Sequence, residues 1–446
     1  MSLFGIRSFV KTYSSPKSVE LPLKDNTSLS LAELVEKKVP QLKNGTYDLM
    51  APSLFNGDLQ TMYAAGSFDN INQIYYGRRL IYWDDGSLVS VDYPIERPTN
   101  SAEWKEQIKY SPLDNPPPFP PRLRYFRPEE ITKIQNPPAS AADKPLLVLL
   151  HGLSGGSHES YIRSVVDQIT QPEYGFDCVV LNSRGCARTP ITTPQLFCGI
   201  WTEDIRKFIR LLRKEQPANR RIYLVGFSLG ASILANFLGQ EGETACDPAA
   251  RIDAAMIIAN PWDLAHSSQY LNSSFMGRNV YSPTMGKNLL RLLKNHHKAL
   301  EQDPLFNYEN RKLVKNIVDF DTYFTAPLFG FDTAMDYYRN ASSVHRLMDI
   351  RVPTVIINAL DDPIVDKDCI PYAEAQKNPY VVLATTSLGG HIGWFQSGGK
   401  RWYPKTISNL FKVFDDLVDH EKGTPLVKVD RPKRQLVSSD RLVKQQ

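Results

Sequence analysis

Ser228 stands in Gly226-Phe227-Ser228-Leu229-Gly230, a G-x-S-x-G pattern that follows the apolar run 222–225 and opens a helical run. A strand, a turn too tight for large residues two positions either side, and a helix would lift the serine hydroxyl to the end of a sheet. At neutral pH that hydroxyl is a weak nucleophile, so it needs a base to take its proton and a carboxylate to orient the base. Two downstream positions meet the demand in the expected order. The run 354–358 leads into Asp361-Asp362-Pro363, and the run 381–383 is followed by Leu388-Gly389-Gly390-His391. Asp362 lies 134 residues after Ser228 and 29 before His391. Asp361 competes for the acid's place. The residue abutting the proline turn is better aimed at the sheet edge, so Asp362 is preferred and Asp361 is then a turn or capping residue.

A nucleophile also needs donors for the oxyanion it creates. His151-Gly152-Leu153-Ser154-Gly155-Gly156 follows the first core run, and the amide of Leu153, joined by that of Leu229, is placed to serve. His151 is then a brace for the loop, and Ser157, His158 and Glu159 read as a helix start. Cys186 has no base assigned to it. His151 and His158 lack a third ligand at regular spacing, so no metal and no cofactor is expected.

These residues require a scaffold, and the pattern from Lys144 onward supplies one. Short continuous apolar runs at 146–150, 178–181, 222–225, 255–259, 355–357 and 381–383 alternate with helical stretches at 160–169, 202–214 and 229–240. Strands buried on both faces with helices between them predict an α/β fold, a mostly parallel sheet covered on both sides. About ninety residues between Pro261 and Val352 interrupt the alternation, and 262–345 is expected to be a cap over the sheet's C-terminal edge. Its aromatics Tyr323, Phe324, Phe329 and Phe331 either line an acyl pocket or pack the cap's own core.

The division that follows is an N-terminal extension at 1–140, a core at 141–422 and a basic tail at 423–446. The extension shows a helical pattern at 29–38, a hairpin of 80–83 with 88–91 around Asp84-Asp85-Gly86, and a stiff proline-rich link at 115–121. Its first nineteen residues hold no acidic group but carry Arg7, Lys11 and Lys17, with Leu3, Phe4, Ile6, Phe9 and Val10 at helical spacing. A plain N-terminal helix is expected there, with a presequence or a membrane-surface helix as alternatives.

Composition narrows the classes. With 52 Lys and Arg against 48 Asp and Glu the net charge is +4. That surplus sits in the tail, so no surface-wide field for nucleic acid is implied. Five cysteines, an odd number without C-x-x-C spacing, fit a reducing compartment. No run approaches the ~18–20 apolar residues of a membrane span. The expectation is an intracellular, cytoplasmic protein, with lipid-droplet or mitochondrial association and peripheral contact of the tail with lipid left open.

The motifs together resemble the α/β-hydrolase fold, in the branch that holds YheT-like hydrolases, α/β-hydrolase-domain lipases and fungal medium-chain fatty acid ethyl ester synthase/esterases. Besides the segments above, the resemblance rests on Leu54-Phe55-Asn56-Gly57-Asp58-Leu59-Gln60-Thr61, Asn182-Ser183-Arg184-Gly185-Cys186-Ala187-Arg188, Asn260-Pro261-Trp262-Asp263-Leu264 and Ala341-Ser342-Ser343. It implies Ser228, Asp362 and His391 as charge-relay residues. It also implies hydrolysis of short- to medium-chain acyl esters and transfer of acyl groups from acyl-CoA to alcohols, with monoacylglycerol lipase as the alternative within the fold. The H-x-x-x-x-D motif of some acyltransferases is missing, since His345 and Asp349 are one position too close. The rival from another class is a catalytically silent scaffold used for binding.

Overall fold

The computed structural model describes residues 6–427, 434–437 and 441–444. Eleven strands form one sheet: β1 (Arg7–Ser14), β2 (Tyr47–Leu49), β3 (Tyr75–Tyr82), β4 (Leu88–Ile95), β5 (Leu123–Tyr125), β6 (Leu146–Leu150), β7 (Asp177–Asn182), β8 (Ile222–Phe227), β9 (Ala254–Ile258), β10 (Thr354–Ala359) and β11 (Val381–Thr386). In space they run β2-β1-β11-β10-β9-β8-β6-β7-β4-β3-β5. The six strands from β6 to β11 are mutually parallel. Antiparallel pairings of β1 with β11 and of β4 with β7 flank them.

The continuous apolar runs have a plain cause, because each parallel strand is buried on both faces. Successive residues alternate between two cores. Leu147, Leu149, Tyr223 and Val225 enter one, while Leu146, Val148, Leu150 and Leu224 enter the other. The principal helices are α1 (Leu31–Lys38), α2 (Gly57–Ala64), α3 (Ser160–Ile169), α4 (Glu203–Glu215), α5 (Leu229–Glu241), α6 (Leu264–Ser273), α7 (Ser282–Leu300), α8 (Ala334–Ala341) and α9 (Tyr403–Leu417). Ile162, Val165 and Ile169 of α3 share the first core with Ile407, Phe411 and Phe414 of α9. Phe208 and Leu212 of α4 share the second with Leu234 and Leu238 of α5.

The N-terminus corrects one expectation. Residues 7–14 are not a helix but the strand β1, in register with β11 from Val10 opposite Thr386 to Ser14 opposite Val382. Ser8 and Val10 are buried while Arg7, Phe9 and Lys11 face outward, the period of two that a half-buried strand requires. The helical spacing lost because β11 presented an open edge whose amides and carbonyls needed partners. Leu3 and Phe4 lie outside the described residues.

The helical segment between Pro261 and Val352 builds a core of its own. Leu289, Leu292, Leu293 and Leu300 of α7 pack with Phe320 and Phe324, and with Cys186, Leu196 and Phe197 from the loop after β7. Phe324 is fully buried, and Phe331 lies 5.7 Å from Tyr337, ring to ring. In the tail, 434–437 and 441–444 pair antiparallel, while Lys428, Arg431 and Lys433 lie outside the described residues. Among the described residues no helix is long and apolar enough to cross a membrane.

Candidate active site

Ser228 sits between β8 and α5 with φ 52° and ψ −119°, a backbone conformation that a non-glycine residue holds only when its surroundings enforce it. The neighbouring glycines show the enforcement. A Cβ on Gly226 would lie 2.5 Å from the carbonyl oxygen of Gly230, and one on Gly230 would lie 2.4 Å from that of His151. The Ser228 amide donates to the carbonyl of Ile258, at the end of β9, over 3.0 Å. The serine therefore stands at the C-terminal ends of the parallel strands, where open α/β sheets bind ligands.

His391 reaches it from the loop after β11. Its Nε2 is 2.8 Å from Ser228 Oγ, and its Nδ1 is 2.7 Å from Asp362 Oδ2. The structure thus brings together all three residues singled out in the sequence. Asp362 follows β10, is fully buried, and accepts through Oδ1 from the amides of Ile364 and Val365 at 2.8 and 3.0 Å. A carboxylate oxygen can only accept, so Nδ1 carries the imidazole proton and Nε2 is left to take the one from Ser228.

Asp361 occupies a different place. Its Oδ1 accepts from the amides of Gly389 and Gly390, at 2.8 and 3.0 Å, so the carboxyl ties the approach to His391 back to the end of β10. Burial pushes this carboxyl up to about 6, against the pull of those two amides. Its other oxygen is buried without a hydrogen-bond partner.

The loop after β6 crosses directly over the serine, since a Cβ on Gly152 would lie 3.3 Å from that of Ser228. Leu153 is the next residue, and Leu229 is the first residue of α5, so the Leu229 amide is one of the donors a helix start leaves unpaired. Both side chains pack against the core of the 262–345 segment. His151 is the loop's brace. The Ser183 amide donates to its Nε2 over 3.1 Å, and its Nδ1 donates to the Gly152 carbonyl over 2.7 Å. Burial lowers its pKa to about 4, so the ring stays neutral.

The helix start after this loop differs from expectation. α3 begins at Ser160 with Glu159 at its N-cap. Ser157 does not cap it, because its hydroxyl donates to Asp92 Oδ2 over 2.6 Å. That carboxylate is itself held by Arg78, whose Nε and Nη2 each donate over 2.7 Å. A buried charge needs such partners, and Ser157 was drawn into the network. Arg184 is also structural, bound twice to Asp204 at 2.8 Å. Cys186 is buried and its thiol pKa is raised by burial, the reverse of a nucleophile's environment. Among the described residues no group of three or more His, Cys, Asp or Glu is placed to hold a metal ion.

The segment 54–61 carries no chemical signal of its own in the sequence, yet α2 lies against the His391 loop. The His391 amide donates to Thr61 Oγ1 over 2.8 Å. Asp58, one turn earlier, accepts from the Tyr281 hydroxyl over 2.6 Å, which links α2 to the 262–345 segment.

A family model described as the alpha/beta hydrolase fold matches residues 145–396, more than half of the chain. Over 408 residues the chain is 40% identical to a monoacylglycerol lipase of Saccharomyces cerevisiae, with 90% of this chain and 88% of that one covered. It is 36% identical over 434 residues to medium-chain fatty acid ethyl ester synthase/esterase 2 of the same yeast, covering 90% and 93%. It is 31% identical over 280 residues to the mouse phospholipase ABHD3, covering 62% and 64%.

Proposed function

The chain belongs to the α/β-hydrolase family, and from that premise we propose that it is a serine esterase/lipase that hydrolyses short- to medium-chain acyl esters and passes the acyl group to alcohols as well as to water. The observation that carries this reading is the unbroken line from Asp362 Oδ2 through both ring nitrogens of His391 to Ser228 Oγ, in steps of 2.7 and 2.8 Å. In the proposed cycle His391 takes the hydroxyl proton as Ser228 Oγ attacks the acyl carbonyl of an ester or acyl-CoA. The amides of Leu153 and Leu229 stabilise the oxyanion. The carbonyl re-forms, the leaving alkoxide or thiolate departs with the proton from His391, and Ser228 is left acylated. Water or an alcohol then gives its proton to His391 as it attacks the acyl carbonyl. When the bond to Ser228 Oγ breaks, His391 returns that proton to the serine, which frees the acid or ester.

In this reading 262–345 is the cap that sets how well water is excluded and an alcohol held. Its packing against Leu153 and Leu229 supports the assignment. Five free thiols fit a reducing compartment inside the cell. A monoacylglycerol-lipase reading is favoured by the higher identity to the yeast lipase, 40% against 36%. Octanoyl-CoA incubated with and without ethanol separates the activities. Ethyl octanoate forming beside free octanoate, with both lost in Ser228→Ala, supports the proposal. Monooctanoylglycerol cleaved at least about tenfold faster than either product forms establishes the lipase reading instead.

A further inference from the structure

We propose that Thr61, on a helix of the N-terminal segment, is a positioning residue that sets His391 for proton transfer with Ser228. This deepens the serine-hydrolase reading and rests on it. The hydroxyl of Thr61 is a two-way link. Its oxygen accepts the amide proton of His391 over 2.8 Å, and its own proton goes to the carbonyl of Gly57 over 2.7 Å. His391 is thereby fixed at both ends, its ring by Asp362 and its backbone by α2.

The contact is built rather than incidental, because the surrounding atoms leave no slack. Gly390 has φ +60°, and a Cβ there would lie 2.5 Å from the Gly57 carbonyl oxygen and 2.8 Å from Thr61 Oγ1. A Cβ on Gly57 would lie 1.7 Å from the carbonyl oxygen of Asp361. The start of α2 is thus wedged between the Asp361 turn and the His391 loop, and both approaches require glycine. Gln60 extends the seam, since its Oε1 accepts from the Phe395 amide and its Nε2 donates to the Leu54 carbonyl, each over 2.8 Å. Asn56 caps the helix, accepting from the Leu59 amide. Asn56, Gly57, Gln60 and Thr61 all lie before the residues 145–396 that the family model matches, so the catalytic histidine is held by a part of this chain outside that core.

Losing the hydroxyl releases the His391 amide, and small displacements of a base are expensive in rate. Thr61→Val keeps the shape, while Thr61→Ser keeps the hydroxyl. Steady-state hydrolysis of p-nitrophenyl octanoate, normalised to folded protein, is expected to show kcat at least about tenfold lower in Thr61→Val with KM changed less than about twofold, and kcat within about twofold of wild type in Thr61→Ser. If Thr61→Val does not fold, Thr61→Ala carries the same comparison without a methyl facing Gly390. Thr61→Val with wild-type kcat per folded molecule, or Thr61→Ser as impaired as Thr61→Val, overturns the proposal. Ser228→Ala assayed alongside keeps the two readings apart. If it still turns over, the serine mechanism itself fails. If it is dead while Thr61→Val is unimpaired, only the positioning role falls.

Discussion

Both ring nitrogens of His391 are committed, Nδ1 to Asp362 and Nε2 to Ser228, so the two adjacent aspartates have unequal tasks. Asp362→Asn would present an amide N–H or a mismatched tautomer to Nδ1 and is expected to lower kcat by about 10³–10⁴-fold. Asp361→Asn keeps an oxygen for the Gly389 and Gly390 amides and is expected to stay within about tenfold of wild type by the same assay. Its effect shows in stability instead. The Asp361 carboxyl is raised from 3.8 to about 6, so between those values the native chain binds a proton that the unfolded chain has released. Stability from this group is then full below about 4 and lost as pH rises through about 6, a difference on the order of 1–2 kcal/mol after discounting for partial exposure. Asp361→Asn lacks the titration, so its melting temperature relative to wild type should climb between pH 4 and pH 7. A flat difference across that range would contradict the buried charge.

At the scale of elements, legibility followed the distance over which a signal had to act. The Ser228 turn, the Asp361-Asp362-Pro363 end of β10 and the glycines before His391 were readable because each ends a strand whose continuous apolar run identifies it locally. β1 is not legible locally, because what decides its conformation is the edge of β11, some 370 residues later, where Val10 pairs with Thr386. Thr61 carried no chemical signal, for a hydroxyl on a short helix means nothing until a loop 330 residues away brings an amide to it. The competition between Asp361 and Asp362 was narrowed by the proline turn and is separated in space by the direction of each carboxyl. The strand assignment of β1 is tested by a pair of substitutions. Val10→Lys places a charge in the core and should cost about 3 kcal/mol or more, whereas Phe9→Lys on the outward face should stay within about 0.5 kcal/mol, both by denaturant unfolding. Equal costs would contradict the alternation.

Over the whole molecule, one sheet joins strands of the N-terminal segment to the parallel strands between Leu146 and Thr386. The N-terminal segment closes both flanks of the parallel strands, through β1 and β2 on one side and β3, β4 and β5 on the other. It also supplies α2 at the His391 loop. Ser8, on β1, accepts the amide of Leu388 and donates to its carbonyl, so the start of that loop is held from a second direction. The 262–345 segment packs over Leu153 and Leu229 and is linked to α2 through Tyr281 and Asp58. His391, Leu153, Leu229 and the helices of 262–345 are therefore fixed relative to Ser228, which a strained turn already presents. The central claim is that this serine becomes acylated. Its most direct test is acid quenching of p-nitrophenyl octanoate turnover within milliseconds, followed by mass spectrometry of the peptide containing Ser228. The account predicts an octanoyl adduct on Ser228 that appears with the first burst of nitrophenol and decays as product forms, and that is absent in Ser228→Ala. Full turnover with the acyl group on another residue, or on none, would contradict it.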